Sequence, residues 1–265
     1  PAALELGPSL EAYRRYQQSA GSFLLGRFIC PARSLGDLAQ LVNDQDAFLL
    51  SALLDAPEEL DALHDFHEQV SSKVRVDTVE TRWIGAEQGQ RWLRRWNYSL
   101  FFEVAPEQAH QAGALAQTSG GRVGLKLRTG SVKAEGFPSY EAIGKFLYAA
   151  HQVKVPYKFT AGLHHARNGV YPLTYEPDSG HAPMLGFVTI FGVACLHASG
   201  QISEAEIAEA LNDGAIEVDG LGLHWRDRTC NLAQIQEFRT QAGRSFGSCS
   251  FEEPYQELTE IGWIC

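Results

Sequence analysis

Val123-Gly-Leu-Lys-Leu-Arg128, Ser139-Tyr-Glu-Ala-Ile-Gly-Lys-Phe-Leu-Tyr148 and Val155-Pro-Tyr-Lys-Phe-Thr-Ala161 follow one another near the middle of the chain. In the first and third stretches apolar residues alternate with polar or small ones, the period of a strand. The second carries apolar residues at helical spacing. Strands that alternate with helices imply a parallel sheet. Outward from this unit the same alternation recurs about eight times between Ser22 and Cys265. It predicts α/β architecture, a single-domain (β/α)8 TIM-type barrel over 1–265, with an N-terminal helix over Leu10–Ala20. An open doubly wound sheet usually shows a Gly-rich turn after its first strand, and Arg27-Phe-Ile-Cys-Pro-Ala32 has none.

The expected strands are Phe23–Cys30, Ala47–Leu54, Val74–Arg82, Ser99–Ala105, Val123–Arg128, Val155–Ala161, Ile216–Trp225 and Ser245–Phe251. Helix starts are marked by Asp55-Ala-Pro-Glu-Glu59, by Pro106-Glu107 and by the capping box Ser203-Glu-Ala-Glu206. After the sixth strand comes a long irregular loop, His164 to Ala182, of the kind that serves as a lid or binding loop. An extra apolar helix, Pro183–Ala198, follows it.

A formal charge of −10, with no Lys/Arg cluster, argues against nucleic acid and anionic membrane as partners. No apolar run approaches the roughly 20 residues of a membrane span. Pro1-Ala-Ala-Leu-Glu-Leu-Gly-Pro8 lacks the basic region and apolar stretch of a signal peptide. The five cysteines, Cys30, Cys195, Cys230, Cys249 and Cys265, include no CxxC pair. They read as buried thiols plus one free terminal thiol, in a reducing, cytoplasmic setting.

Parity in the strands selects candidate site residues, because the outward set of a barrel strand must be apolar. With Val123, Leu125 and Leu127 under the helices, Gly124, Lys126 and Arg128 face the lumen. With Tyr157, Phe159 and Ala161 outward, Lys158, Thr160 and Gly162 face inward; the same logic puts Glu103 and Ser51 inside. The third strand is polar on both parities, so Asp77 and Glu80 are not distinguished. Three cations facing one assigned carboxylate would repel each other and resist desolvation. Either an anionic ligand neutralises them or a lysine gives up its proton and becomes a nucleophile toward carbonyls. The alternative is an ion network of Lys126, Lys158, Glu103 and Glu80 that ties strands together.

Lys126-Leu-Arg-Thr-Gly130 resembles the K-x-x-T-G strand end of deoxyribose-phosphate aldolases, and Lys158-Phe-Thr-Ala-Gly-Leu163 resembles their next strand end, K-x-S-G-G-I. Phe246-Gly-Ser-Cys-Ser250 resembles the F-G-A-S-S segment on the last strand of that family. The resemblance implies a class I aldolase-like carbon–carbon lyase without a cofactor. In it Lys126 would form the Schiff base and Lys158 would depress its pKa. Gly162, Gly247 and Ser248 would touch substrate phosphate. Arg128 stands where the family has a small residue, and His164-His165 has no counterpart there. TAGLHHAR (160–167) and FGSCSFEEP (246–254) also resemble segments of uncharacterised bacterial proteins, a likeness that adds no chemistry.

The expected activity is therefore a lyase or aldolase acting on a small anionic carbonyl compound. Lys126 or Lys158 would be the imine-forming amine, with Arg128 and Thr160 toward the anion. His164 or His165 would move protons. A second reading is a metal-assisted lyase or isomerase using Glu103 with His164 and His165, although no HxH or HExxH spacing supports a metal. A third is a non-catalytic barrel that binds an anionic metabolite. The expected partner is the small anionic substrate, and self-association into a homo-oligomer stays open. Cys249 could be a nucleophile, but no histidine is near it in sequence, so a buried structural thiol is favoured.

Overall fold

The structure is a computed structural model that describes residues 4–70 and 72–264. Pro1–Ala3, Ser71 and Cys265, the expected terminal thiol, lie outside the described residues. Helix α1 (Leu6–Gln17) precedes strand β1 (Phe28–Pro31), and α2 (Leu35–Leu41) leads to β2 (Phe48–Leu53). The alternation continues through α3 (Leu60–Gln69), β3 (Val74–Arg82), α4 (Ala86–Arg95), β4 (Ser99–Glu103) and α5 (Ala109–Gln117). Next come β5 (Val123–Arg128), α6 (Tyr140–Gln152) and β6 (Tyr157–Thr160). A hairpin of β7 (Gly169–Pro172) and β8 (His181–Met184) is followed by α7 (Phe187–Ala198) and α8 (Glu204–Asp213). Strands β9 (Glu217–Val218), β10 (Gly222–Trp225) and β11 (Arg228–Asn231) lead to α9 (Leu232–Gln241). Strand β12 (Gly243–Gly247) and helix α10 (Glu252–Glu260) complete the order.

Seven strands form one parallel sheet in the order β1-β2-β3-β4-β5-β6-β12. The sheet curls into a half-barrel that brings its edge strands toward each other. A Cβ on Gly247 of β12 would lie 3.9 Å from Ile29 Cδ1 of β1. Helix α1 bridges the same seam. Tyr13 packs edge-on against Phe28 and Phe48, each at 5.3 Å, and Tyr16 meets Phe251 just beyond β12 at 4.7 Å.

The eight-strand ring is corrected by one segment. The stretch 216–225 does not join the main sheet, so β6 pairs directly with β12. The Asp219 side chain accepts the amides of Leu221 and Gly222 at 2.7 and 3.0 Å and folds the chain back on itself. Gly222, at φ +156°, has Cys230 O 2.1 Å from where a Cβ would stand. The result is a separate antiparallel sheet, β9-β10-β11. Boundaries also move: the last strand is Gly243–Gly247, not Ser245–Phe251, and the extra helix begins at Phe187, not Pro183, because His181–Met184 is a strand. Ala20–Leu24 is a 3-10 helix, so the first strand begins at Phe28, not Phe23, and Phe23 is exposed. The 164–182 segment is not wholly irregular, because it contains most of the β7–β8 hairpin.

Elsewhere the expected signals operate. Ser139 caps α6 by accepting the Ala142 amide at 3.2 Å. Ser203 and Glu206 form the capping box of α8. Val123, Leu125 and Leu127 of β5 and Phe159 of β6 are buried with Ile143, Phe146 and Leu147 of α6 in one apolar layer. Burial of such side chains contributes about 1.5–3 kcal/mol each, and it locks the parity that turns the polar residues to the other face. No helix among the described residues is long and apolar enough to cross a membrane.

Candidate functional site

The inner face of the sheet carries a chain of alternating charges. Lys126 and Lys158 are register partners on β5 and β6, and Glu103 of β4 is the register partner of Lys126. Lys158 Nζ lies 2.5 Å from Glu80 Oε1, and Lys126 Nζ lies 3.0 Å from Glu80 Oε2 and 2.7 Å from Glu103 Oε2. Arg128 Nε donates to Glu103 Oε1 at 3.0 Å. Ser51 of β2 donates to Glu80 Oε1 at 2.6 Å. Both lysines are nearly sealed from solvent, at 5 % and 6 % exposure. The Arg128 side chain is open, at 53 %.

Glu80 resolves the ambiguity of the third strand. The β2–β3 register slips between Leu50 and Ser51, so that Leu50 faces Val76 and Ser51 faces Thr78. The extra residue switches the parity of the strand. Before it, Val74 and Val76 are buried; beyond it Val79 is, and Glu80 turns to the lysines. Asp77, at the slip, pairs instead with Arg27 at 2.6 Å. The enclosure thus holds two carboxylates against three cations, and its positive excess is smaller than strand parity alone gave.

The two carboxylates are held ionised. Burial pushes the Glu80 carboxyl up, but Lys158, Lys126 and the Ser51 hydroxyl together pull it down to about 2. Glu103 behaves likewise: burial raises it, and Lys126 and Arg128 lower it further than burial raises it. Lys158 is displaced below the ordinary lysine value, because its burial outweighs the opposing pull of Glu80, and the charge of Lys126 adds to the fall. The Lys158 Nζ also sits 5.4 Å from the Phe101 ring centroid. Gly124 makes room for that ring, since a Cβ there would lie 2.6 Å from Phe101 Cε1.

The Thr-Gly and Ala-Gly ends of β5 and β6 have a steric reason of their own. Thr129 is buried and donates to Ala161 O at 2.8 Å. A Cβ on Gly130 would stand 2.3 Å from the Gly162 Cα, and Gly162 has φ +76°. Only glycines allow the two loops to touch backbone to backbone here. Thr160 is the register partner of both Arg128 and Gly247. At Gly247 a Cβ would make ordinary contacts, with Thr160 Oγ1 at 3.4 Å and Ile29 Cδ1 at 3.9 Å.

A second cluster forms at the C-terminal ends of β6 and β12. His164 Nδ1 lies 3.1 Å from Ser248 Oγ and 3.3 Å from Glu253 Oε2. Cys249 Sγ stands 3.6 Å from His164 Nδ1 and 3.5 Å from Nε2. Near-equal distances place the sulfur over the ring, in line with neither nitrogen. Tyr175, between β7 and β8, donates to Glu253 Oε2 at 2.7 Å. Burial pulls the His164 imidazole below its ordinary value; Glu253 opposes this and His165 reinforces it. The expectation of a buried Cys249 is overturned, because the thiol is exposed and beside a histidine 85 residues away.

His165 points elsewhere. Its Nδ1 meets Glu257 Oε1 at 2.5 Å, and its ring stacks on Tyr171 at 3.4 Å. Glu257 Oε2 also accepts the Ala166 amide at 2.6 Å, so this pair ties the loop after β6 to α10. Glu103 is committed to Lys126 and Arg128, away from both histidines. Among the described residues no three His, Cys, Asp or Glu side chains are grouped to hold a metal ion.

The structure therefore brings Lys126, Lys158, Glu103 and Arg128 into one chain and His164 with Ser248 into another cluster. Glu80, Cys249, Glu253 and Tyr175 join them without having been assigned from the sequence. Glu80 was one of two inner candidates; nothing in the sequence linked Cys249 to His164. No protein-family model and no curated protein matches the chain.

Proposed function

We propose that this protein is a cytoplasmic enzyme of lyase or aldolase type that acts on a small anionic carbonyl compound through a lysine Schiff base. What carries the reading is the pairing of Lys126 and Lys158, side by side in register and almost fully buried. A desolvated lysine next to a second cation has a larger neutral fraction, and the neutral amine is the form that attacks a carbonyl. The family resemblance puts the imine on Lys126. The electrostatics favour Lys158, because Lys126 touches two carboxylates and Lys158 touches one.

In this reading Lys158 Nζ adds to the substrate carbonyl carbon, and the carbonyl oxygen leaves as water after taking up protons. Glu80 receives and returns the amine proton at 2.5 Å. Arg128 and Thr160 meet the anionic group of the substrate, beside Gly247, where no atom comes closer than 3.4 Å to the place of a Cβ. His164 relays protons at the mouth. The free state of all four described cysteines fits a reducing compartment.

Borohydride reduction with a panel of small phosphorylated and carboxylated aldehydes and ketones, followed by mass mapping, tests the reading. The expected result is one reduced adduct on Lys158. An adduct on Lys126 alone would return the nucleophile to the position the resemblance implies. Absence of adducts on both lysines across the panel removes the imine mechanism. The ion-network reading is favoured by one observation: Lys126, Lys158, Glu80 and Glu103 each already have an oppositely charged partner within 3.0 Å. It predicts no turnover, no trapped imine and no thermal stabilisation by an anionic metabolite.

A further inference from the structure

Beside His164, which the lysine reading uses as a proton relay, the cluster at the mouth holds three groups which that reading leaves unused: Cys249, Glu253 and Tyr175. A thiol, an imidazole, a carboxylate and a phenol converge from three separate segments: Cys249 and Glu253 flank the start of α10, His164 follows β6, and Tyr175 comes from the β7–β8 hairpin. The thiol is exposed, whereas the His164 side chain is mostly covered, at 18 % exposure, and held from behind. We propose that Cys249, His164, Glu253 and Tyr175 form a second reactive centre, which accepts the acyl group of a carboxylic ester or thioester onto the Cys249 sulfur.

The geometry assigns the roles. Glu253 Oε2 and Ser248 Oγ both lie on the Nδ1 side of His164. A proton on Nδ1 satisfies that side and leaves Nε2 bare, 3.5 Å from the sulfur. This is the logic of nucleophile, base and orienting carboxylate. Cys249 carries the thiol three residues ahead of α10, on the segment that also brings Glu253 to His164. The mechanism requires the exposed Cys249 side chain to turn so that its sulfur comes into line with Nε2. Tyr175 lies within interaction range of Cys249 as well as of Glu253, so its hydroxyl can turn to a developing oxyanion.

The chemistry balances with water as the second substrate. Nε2 takes the thiol proton, and the sulfur bonds to the acyl carbon while the carbonyl π pair moves to oxygen. Collapse re-forms the carbonyl and breaks the bond to the alcohol or thiol, which leaves with the proton from His164. Water then adds to the thioester, giving a proton to Nε2. The S–C bond breaks, and the carboxylic acid and the Cys249 thiol are released.

The probe is p-nitrophenyl acetate, with release of p-nitrophenol followed at early times and the protein mapped by mass spectrometry. A burst of one equivalent with a single acetyl on Cys249 is expected. Cys249→Ser should lose the S-acetyl product, and His164→Asn should slow acylation by at least about tenfold. Tyr175→Phe, at an exposed position, should slow it severalfold. Circular dichroism checks that each variant is folded. Equal acylation rates in the native protein and His164→Asn would overturn the proposal, as would acetylation scattered over surface lysines with no burst. Borohydride trapping on the buried lysines should persist in Cys249→Ser, so the failure of either mechanism leaves the other standing.

Discussion

The charge chain inside the sheet and the cluster at its mouth contain similar residue types in opposite states. Inside, each carboxylate oxygen of Glu80 and Glu103 meets a cation, and Glu80 is 2 % exposed. At the mouth, Cys249 and Tyr175 are exposed, and the groups touch through single contacts of 2.7 to 3.6 Å. The inner chain couples four strands, β3 to β6, so its charges are part of what holds the sheet in register. The mouth cluster hangs on loops that the sheet positions, an arrangement that leaves side chains free to rearrange around a ligand. Removing a group should therefore cost stability inside and reactivity outside.

The largest test of that difference is Glu80→Gln. The substitution keeps the volume and removes the charge that two buried lysines share, and breaking a buried pair of this kind costs about 3–5 kcal/mol. The denaturation midpoint should fall by that amount with an unchanged slope. A loss below about 1 kcal/mol would mean that the Glu80 charge is not what holds the two amines in place. The pH dependence gives a second measure. The folded value of Glu80, about 2, lies below its ordinary 4.5. The stabilising contribution is then complete above the unfolded value and is lost as pH falls through about 2. It is worth about 3 kcal/mol. Denaturation at pH 7 and at pH 3 should show about 2 of those 3 kcal/mol lost in the native protein and a flatter profile in Glu80→Gln.

The inner chain was largely legible because packing dictates it. Val123, Leu125 and Leu127 can face only the helices, which forces Lys126 inward, and the same holds for Lys158 between Tyr157 and Phe159. What escaped was local. The slip between Leu50 and Ser51 reverses the third strand, and no residue type announces it. The 216–225 stretch shows strand-like alternation, but the Asp219-Gly-Leu-Gly222 turn is stronger than that pattern and bends it into a hairpin. The mouth cluster was illegible for a different reason. Cys249 and His164 are 85 residues apart, and they are brought together by the pairing of β12 with β6, which the absence of the expected seventh strand from the main sheet made possible.

A smaller effect is expected at Ser51. Its hydroxyl donates to Glu80 at 2.6 Å from a fully buried position. Ser51→Ala removes one donor but leaves Glu80 its two lysines, so the cost should be about 2 kcal/mol, less than that of Glu80→Gln. A cost equal to the larger one would show that the serine, not the lysines, fixes the carboxylate.

The smallest stability effect belongs to Tyr175→Phe, the mouth counterpart of Ser51→Ala. Each variant deletes one hydroxyl that donates to a glutamate, at 2.7 Å in one case and 2.6 Å in the other. Tyr175 is exposed, so water replaces the lost partner for Glu253, and the denaturation midpoint should move by less than about 0.5 kcal/mol. Buried Ser51 has no such substitute. Two hydroxyls with nearly the same bond length should thus differ about fourfold in stability, with solvent access as the cause. If Tyr175→Phe costs as much as Ser51→Ala, the hairpin is a structural brace for α10, and the contrast between a fixed interior and an adaptable mouth fails.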